Sequence, residues 1–124
     1  FVEWCKVQDF YENTVVCIVG DHVGYSPVVE NELVPDDYER TPLNIIINSN
    51  LAVSNSKNRE FTPMDLCPTI LASMGFQIEG DRLGIGTNLY SDRPTLMEEL
   101  GREKYCDELK KNSNYYNKYL AGTR

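Results

Sequence analysis

The stretch NTVVCIVGDHVGYS, Asn13 to Ser26, decides the fold. Its run from Val15 to Val19 is continuous and β-branched, which is typical of a strand covered on both faces of a parallel sheet. Gly20 ends the run, and Asp21 and His22 follow it directly. Because functional groups in open α/β sheets collect just beyond the carboxyl ends of strands, this strand exit is where chemistry is expected.

Asp21 and His22 are candidate ligands of a divalent metal ion. A carboxylate oxygen and an imidazole nitrogen suit Mn²⁺, Zn²⁺ or Mg²⁺, and His22 is the only histidine of the chain. Gly20 gives the backbone the freedom to turn, so that the two neighbouring side chains face the same way. The alternative is a common Gly-Asp turn beside a hydrogen-bonded histidine. Two ligands also leave a catalytic site incomplete, because such a site holds its metal with about three protein ligands.

Composition and charge bound the class of protein. The 124 residues, 41% hydrophobic and 25% charged, are enough for one globular domain. A formal net charge of -7 argues against nucleic acid as a partner, since binding to phosphate backbones requires clustered Lys and Arg. No apolar run approaches the roughly 20 residues that cross a bilayer, so we expect the piece itself to be soluble.

The cysteines are predicted to be free. None belongs to a CxxC pair, which disfavours a zinc knuckle or a thioredoxin-like redox motif. We expect small buried hydrophobic side chains rather than disulfides at Cys5, Cys17, Cys67 and Cys106.

Periodicity and turn residues predict most of the remaining elements. Apolar residues at roughly helical spacing predict a helix over residues 2–12, and the run LNIIIN predicts a second short strand at 43–48. A short helix is expected at 27–33. The glycine-rich segment 80–88 is interpreted as a structural loop rather than a phosphate cradle, because it lacks a strand before it and a helix after it. From Pro94 onward we expect one or two amphipathic helices.

A helix between these segments has clear start and stop signals. Thr62 is a capping residue and Pro63 takes the first helical position, where its missing N–H costs nothing. Gly75 is a plausible C-terminal cap. Pro68 either kinks the helix or marks its true first turn.

Other polar and aromatic residues are weaker candidates for function. Lys57 and Arg59 lie in a polar loop, where they either meet an anionic substrate or are simply solvated. Three tyrosines near the end stand at helical spacing, and packing of that helix onto the body explains them better than a ligand site does. These are Tyr115, Tyr116 and Tyr119.

The order of elements is an α/β pattern with few strands. The chain begins at Phe1 inside a helical pattern, so we expect a piece of a longer protein that supplies the missing strands. The strand 15–19 should then have one edge facing strands that are not present. Such an edge favours self-association or retention of upstream pieces of the same protein.

Four blocks, in order, resemble the sulfatase and alkaline-phosphatase superfamily. NTVVCIVGDH resembles its metal-binding strand, and RTPLNIIIN is similar to the strand that follows. FTPMDLCPTILASMGF resembles its Asp-x-x-Pro-Thr helix, through Asp65, Pro68, Thr69, Ile70 and Leu71. RLGIGTNLYSDRPTLMEELG resembles the ending of bacterial phosphoglycerol transferases, relatives of lipoteichoic acid synthase.

The resemblance implies a fold and a site. Residues 1–124 are expected to form the C-terminal portion of an alkaline-phosphatase-like three-layer sandwich, a mostly parallel sheet flanked by helices. Asp21 and His22 become two metal ligands, with Mn²⁺ the commonest metal in the lipoteichoic acid synthase group and Zn²⁺ or Mg²⁺ as alternatives. The nucleophile, a Thr or Ser, and the other ligands lie upstream in the family, so no catalytic residue is expected in this chain.

The activity implied is a two-step transfer of phosphoglycerol from an envelope lipid to a glycan or glycerol hydroxyl. The expected partners are that phosphoglycerol-bearing lipid or glycan and the remainder of the catalytic domain. The expected location of the parent protein is the extracytoplasmic face of the bacterial cell membrane, to which it is anchored. Two alternatives stay open, namely a non-catalytic binding or assembly module and a sulfatase or phosphatase that transfers to water.

Overall fold

The computed structural model describes residues 1–23, 34–35, 37–53 and 58–122, which form short helices and two small sheets. The helix predicted at 27–33 lies outside the described residues, as does Lys57. The α-helices are α1 (Val2–Cys5), α2 (Leu66–Ser73), α3 (Leu96–Leu100), α4 (Arg102–Leu109) and α5 (Asn114–Tyr119). The strands are β1 (Val16–Val19), β2 (Asn44–Ile47), β3 (Arg82–Leu83) and β4 (Gly86–Thr87), and 3₁₀ turns occur at Tyr11–Asn13, Pro63–Asp65 and Glu79–Asp81.

Strands β1 and β2 pair antiparallel, which corrects the expectation of a parallel sheet. Their register runs from Val16 opposite Ile47 to Val19 opposite Asn44. The continuous β-branched run correctly predicted the strand, but such a run reports local preference and carries no information on strand direction. Among the described residues β1 pairs with β2 alone. The α/β assignment therefore holds only as a mixture of helices and small antiparallel sheets.

The N-terminal helix is much shorter than predicted. It ends at Cys5, and a separate 3₁₀ turn follows at Tyr11–Asn13. Several apolar side chains of this segment remain exposed, with Trp4 in ring contact with both Phe1 and Phe10. Because a short helix gains its stability from burying an apolar face, this segment has too little packing to extend beyond one turn.

The helical segment begins at the predicted capping residues with the 3₁₀ turn Pro63–Asp65, which continues into α2 at Leu66, and it ends before Gly75 as predicted. Thr62 and Asp65 form a reciprocal capping box, with Thr62 N–H donating to Asp65 Oδ2 at 2.8 Å. Pro63 stands at the first helical position, and Pro68 lies in the first turn of α2, which settles the choice between kink and first turn. The helix ends before Gly75, whose φ of 93° is left-handed.

Residues 80–88 form a tight β3–β4 hairpin rather than the simple loop expected. The hairpin packs closely on the start of α2 at Gly86. A side-chain carbon at this position would lie 2.0 Å from the Met64 carbonyl oxygen and 3.2 Å from Pro68 Cγ. Pro68 has no N–H to donate to the Met64 carbonyl four residues earlier, and the Gly86 backbone takes the space beside that carbonyl.

The C-terminal region contains three helices, one more than expected. Thr95 and Glu98 form a capping box that opens α3. Tyr105 of α4 is buried, and among the described residues the buried polar side chains outnumber the buried apolar ones. The tyrosines of α5 are exposed, so the prediction that they pack onto the body is wrong.

The cysteines are free, as predicted, although their burial differs. Cys5 is buried, whereas Cys67 is exposed on α2, contrary to expectation. No helix among the described residues is long and apolar enough to cross a membrane.

Candidate metal centre

The candidate site stands where β1 leaves the small sheet. The antiparallel ladder continues one residue past β1, since Gly20 N–H donates to Leu43 C=O at 2.7 Å. A side-chain carbon on Gly20 would lie 3.2 Å from both Leu43 N and Pro42 Cβ. Glycine is therefore favoured here by the close approach of the neighbouring backbone, and the ladder fixes the point at which the chain turns toward Asp21.

The structure brings the two predicted ligands together. The distance between His22 Nε2 and Asp21 Oδ2 is 3.6 Å, and the His22 backbone N–H donates to Asp21 Oδ1 at 2.9 Å. The side chains are 56% exposed for His22 and 88% exposed for Asp21, so neither is lodged in apolar packing. An external ion therefore has access to both donor atoms.

A backbone contact orients the imidazole ring. His22 Nδ1 lies 2.8 Å from the carbonyl oxygen of Val23. Because a carbonyl oxygen only accepts, Nδ1 carries the proton in this contact. In the neutral ring Nε2 then bears the lone pair, which is how protein histidines are commonly oriented for a metal. The role of Val23 was not predicted, because a backbone acceptor leaves no signal in the identity of its side chain.

The donor set fits a divalent cation but is incomplete by itself. Two ligands about 2.1 Å from a tetrahedral zinc are separated by roughly 3.4 Å, close to the 3.6 Å between His22 Nε2 and Asp21 Oδ2. Over the part of the chain that the structure describes, no group of three or more His, Cys, Asp or Glu side chains comes together. The chain thus supplies two ligands where a metal site usually has three or four.

A cleft of about 460 Å³ lies between the β1–β2 sheet and α2. Val19, at the end of β1, belongs to its wall, so the strand that presents the candidate ligands also borders the cleft. Burial raises the pKa of the Tyr90 hydroxyl, which lines the same cleft, and also raises the pKa of the nearby Cys17 thiol. This cleft was not predicted, because the residues that form its walls are far apart in sequence.

Arg59 is neither solvated nor open to an anionic substrate, contrary to both expectations. Its side chain is 9% exposed and forms a two-pronged contact with Glu98, at 2.8 Å from Nε to Oε1 and 2.9 Å from the second nitrogen to Oε2. The remaining donors reach the backbone carbonyls of Leu89, Ser91 and Arg93. These contacts with Glu98 raise the pKa of Arg59 and lower the pKa of Glu98. Arg59 therefore holds its loop to α3.

The Asp-x-x-Pro-Thr block has a structural explanation. Asp65 is buried, and its Oδ1 accepts the Thr87 N–H at 2.7 Å while Oδ2 caps the helix. Thr69 is also buried, and its hydroxyl donates to the Asp65 carbonyl at 2.6 Å and accepts the Leu89 N–H at 2.9 Å. This block joins α2 to the hairpin and the segment after it, and these residues do not contribute to the candidate metal centre.

Comparisons of the chain with known proteins found no relative that would identify this site. No protein-family model matches the chain, and neither the curated proteins nor the solved structures contain a significant match. A functional assignment therefore depends on the resemblance of the four sequence blocks and on the placement of Asp21 and His22.

Proposed function

We propose that this chain contributes two metal ligands to a metal-dependent phosphoglycerol transferase related to the sulfatases. The observation that carries the proposal is the convergence of Asp21 and His22 at the exit of β1, with the imidazole held by Val23. The imidazole and the carboxylate are both exposed, so their donor atoms are open to an ion from solvent. The geometry therefore supports the role that the sequence resemblance implies.

In this proposal Asp21 Oδ2 and His22 Nε2 hold one side of a divalent cation, most commonly Mn²⁺, with Zn²⁺ or Mg²⁺ as alternatives. When bound, such an ion activates a Thr or Ser hydroxyl and neutralises charge on the phosphoryl oxygens. The residues of this chain fix the ligands: the Gly20–Leu43 ladder bond sets the strand exit, and the Val23 carbonyl keeps the proton on Nδ1. The nucleophile and the remaining ligands belong to the rest of the catalytic domain.

The same proposal assigns a place to the open sheet. The unpaired edge of the β1–β2 sheet would join further strands of a three-layer sandwich, and the exposed apolar residues around Trp4 would be covered by that domain. The assembled enzyme would act at the extracytoplasmic face of the bacterial membrane, on a phosphoglycerol-bearing lipid or glycan.

The test uses the full-length gene product that carries this chain. Asp21→Asn and His22→Asn should each lower bound Mn²⁺ and reduce phosphoglycerol transfer by about 100-fold or more, because they remove a metal ligand outright. Asp9→Asn is a matched control, since Asp9 is also an exposed carboxylate of the same region. Metal content is measured by mass spectrometry and transfer by the release of diacylglycerol from phosphatidylglycerol.

The outcomes separate the proposal from its alternatives. Normal metal content and transfer in both ligand variants would contradict it. Metal binding that depends on Asp21 and His22, without transfer or hydrolysis, would identify a binding or assembly module, which the two-ligand count among the described residues favours. Phosphate or sulfate ester cleavage that needs no acceptor hydroxyl would identify a hydrolase that transfers to water.

A further inference from the structure

Helix α5 is amphipathic, but its apolar face is turned outward. Residues four apart share a helix face, so Tyr115, Tyr116, Tyr119 and Leu120 lie together on one side, and each is between 55% and 69% exposed. These four residues are called the tyrosine surface below. Asn117, on the opposite side, is the one residue of Asn114–Tyr119 that is partly buried rather than exposed. A helix that packed on its own domain would bury the apolar side instead.

Two rings of the tyrosine surface contact each other, and basic residues accompany this surface in the sequence. The rings of Tyr115 and Tyr119 lie 4.9 Å apart, and the Lys118 ammonium lies 5.1 Å from the centre of the Tyr119 ring. The sequence from Leu109 to Arg124 contains four basic residues and no acidic one, although the whole chain has a net charge of -7. The segment that carries these exposed tyrosines is therefore basic, whereas the chain as a whole is acidic.

We propose that the tyrosine surface docks on the interface of an anionic lipid bilayer. Tyrosine rings prefer the headgroup region because they are apolar with a polar tip. Lys110, Lys111 and Lys118 supply charge complementary to anionic headgroups. The segment is far too short to span a bilayer, so it lies on the surface, with its aromatic residues at the headgroup level. This proposal does not depend on the candidate metal centre.

Two acidic residues oppose this attraction. Lys110 Nζ lies 3.3 Å from Asp107, and Lys111 Nζ lies 2.6 Å from Glu108. All four side chains are well exposed, so these pairs exchange readily with an external anionic surface. Removing the two carboxylates should therefore strengthen docking, which distinguishes a lipid-binding role from a purely structural one.

The experiment measures co-sedimentation of the chain with vesicles of phosphatidylcholine alone, or mixed with phosphatidylglycerol or phosphatidylserine, at low and high salt. We expect binding to both anionic mixtures and weakening by salt. Substituting Gln for Lys110, Lys111 and Lys118 should weaken binding by about 150-fold (about 3 kcal/mol at about 1 kcal/mol per basic side chain). Substituting Ser for Tyr115, Tyr116 and Tyr119 should weaken it about tenfold or more.

Matched variants make the interpretation specific. Lys6→Gln and Tyr38→Ser remove an exposed lysine and an exposed tyrosine elsewhere, and should leave binding unchanged. The Asp107→Asn, Glu108→Gln double variant should bind about tenfold more tightly. The tyrosine substitutions should leave the melting temperature unchanged, because these side chains are exposed.

Three results would overturn the proposal. The first is no binding to either anionic mixture, and the second is equal binding to neutral and anionic vesicles. The third is a tyrosine variant that binds vesicles normally but changes the oligomeric state in analytical ultracentrifugation, which would assign the surface to a second copy of the chain.

Discussion

Substitution of Gly86 by Ala tests how the hairpin is seated on α2. The new methyl carbon would lie 2.0 Å from the Met64 carbonyl oxygen, whereas ordinary contacts begin near 3.4 Å. The atoms it meets are backbone atoms of the Pro63–Asp65 turn, which cannot rotate away as a side chain would. The hairpin and the turn must therefore move apart by more than 1 Å, which is roughly the difference between the 2.0 Å contact and an ordinary van der Waals contact.

The cost follows from what that separation breaks. The Thr87 N–H to Asp65 Oδ1 distance of 2.7 Å would stretch beyond hydrogen-bonding range. A buried bond to a carboxylate contributes about 1.5–3 kcal/mol, and loosened packing adds about 1 kcal/mol. Replacing glycine stabilises by about 0.4–1 kcal/mol through the unfolded chain. The net loss in the free energy of unfolding should be about 2–4 kcal/mol, a fall in Tm of about 8–16 °C for a chain of this length.

The assay is urea and thermal unfolding of Gly86→Ala beside Gly84→Ala. A side chain at Gly84 meets nothing within 4 Å, but its φ of 60° is left-handed, so this control measures backbone strain alone, about 1 kcal/mol. Asp65→Asn in both backgrounds completes a double-mutant cycle, and its cost should shrink once Gly86 is replaced. A loss at Gly86 no larger than at Gly84, or full additivity with Asp65→Asn, would refute the reasoning.

Three further predictions concern the contacts around α2 and α3. Glu98→Gln should lower the free energy of unfolding by about 1–3 kcal/mol at neutral pH. Because Arg59 lowers the pKa of Glu98 below 4.5, this contribution is present above pH 4.5 and is lost as the pH falls through the folded-state pKa. The stabilities of wild type and variant should therefore converge in acid, and a constant difference across pH would contradict this. Thr69→Val, which leaves the half-buried Leu89 N–H without its acceptor, should cost about 1–3 kcal/mol in urea unfolding, more than Thr69→Ser. The reverse order would be incompatible with the hydroxyl's role. The cysteines should react with an alkylating reagent at different rates in the native protein at mildly alkaline pH, as measured by peptide mass spectrometry. Exposed Cys67 should react first, Cys17 should react slowly because burial raises its pKa, and buried Cys5 should react only on unfolding. Early labelling of Cys5 would contradict the described packing.

Features encoded by neighbouring residues were predicted from the sequence. The start of α2 depends on Thr62, Pro63 and Asp65, which act on one another within a single turn. The two strands β1 and β2 were found because β-branched side chains favour extended backbone wherever they occur. The proximity of Asp21 and His22 at the exit of β1 was likewise predictable, because the two residues are adjacent in sequence.

Features that depend on distant partners were not predicted. The antiparallel pairing of β1 with β2 joins residues far apart in sequence, and Arg59 reaches Glu98 across 39 residues. The segment at residues 2–12 has apolar spacing, yet most of it is not helical, because spacing does not state whether a surface exists to cover it. In α5 the pattern identified the apolar face correctly and gave no information on its surroundings.

The amide of Thr87 is a natural reporter of motion at the junction between hairpin and helix. Thr87 is fully buried, and its N–H is held by a carboxylate that is itself sealed from solvent. Deuterium can reach this proton only when β4 separates from α2, either in a local opening or in the unfolding of the whole chain. Exchange of this amide faster than global unfolding allows would therefore report the local separation of the two parts of the molecule.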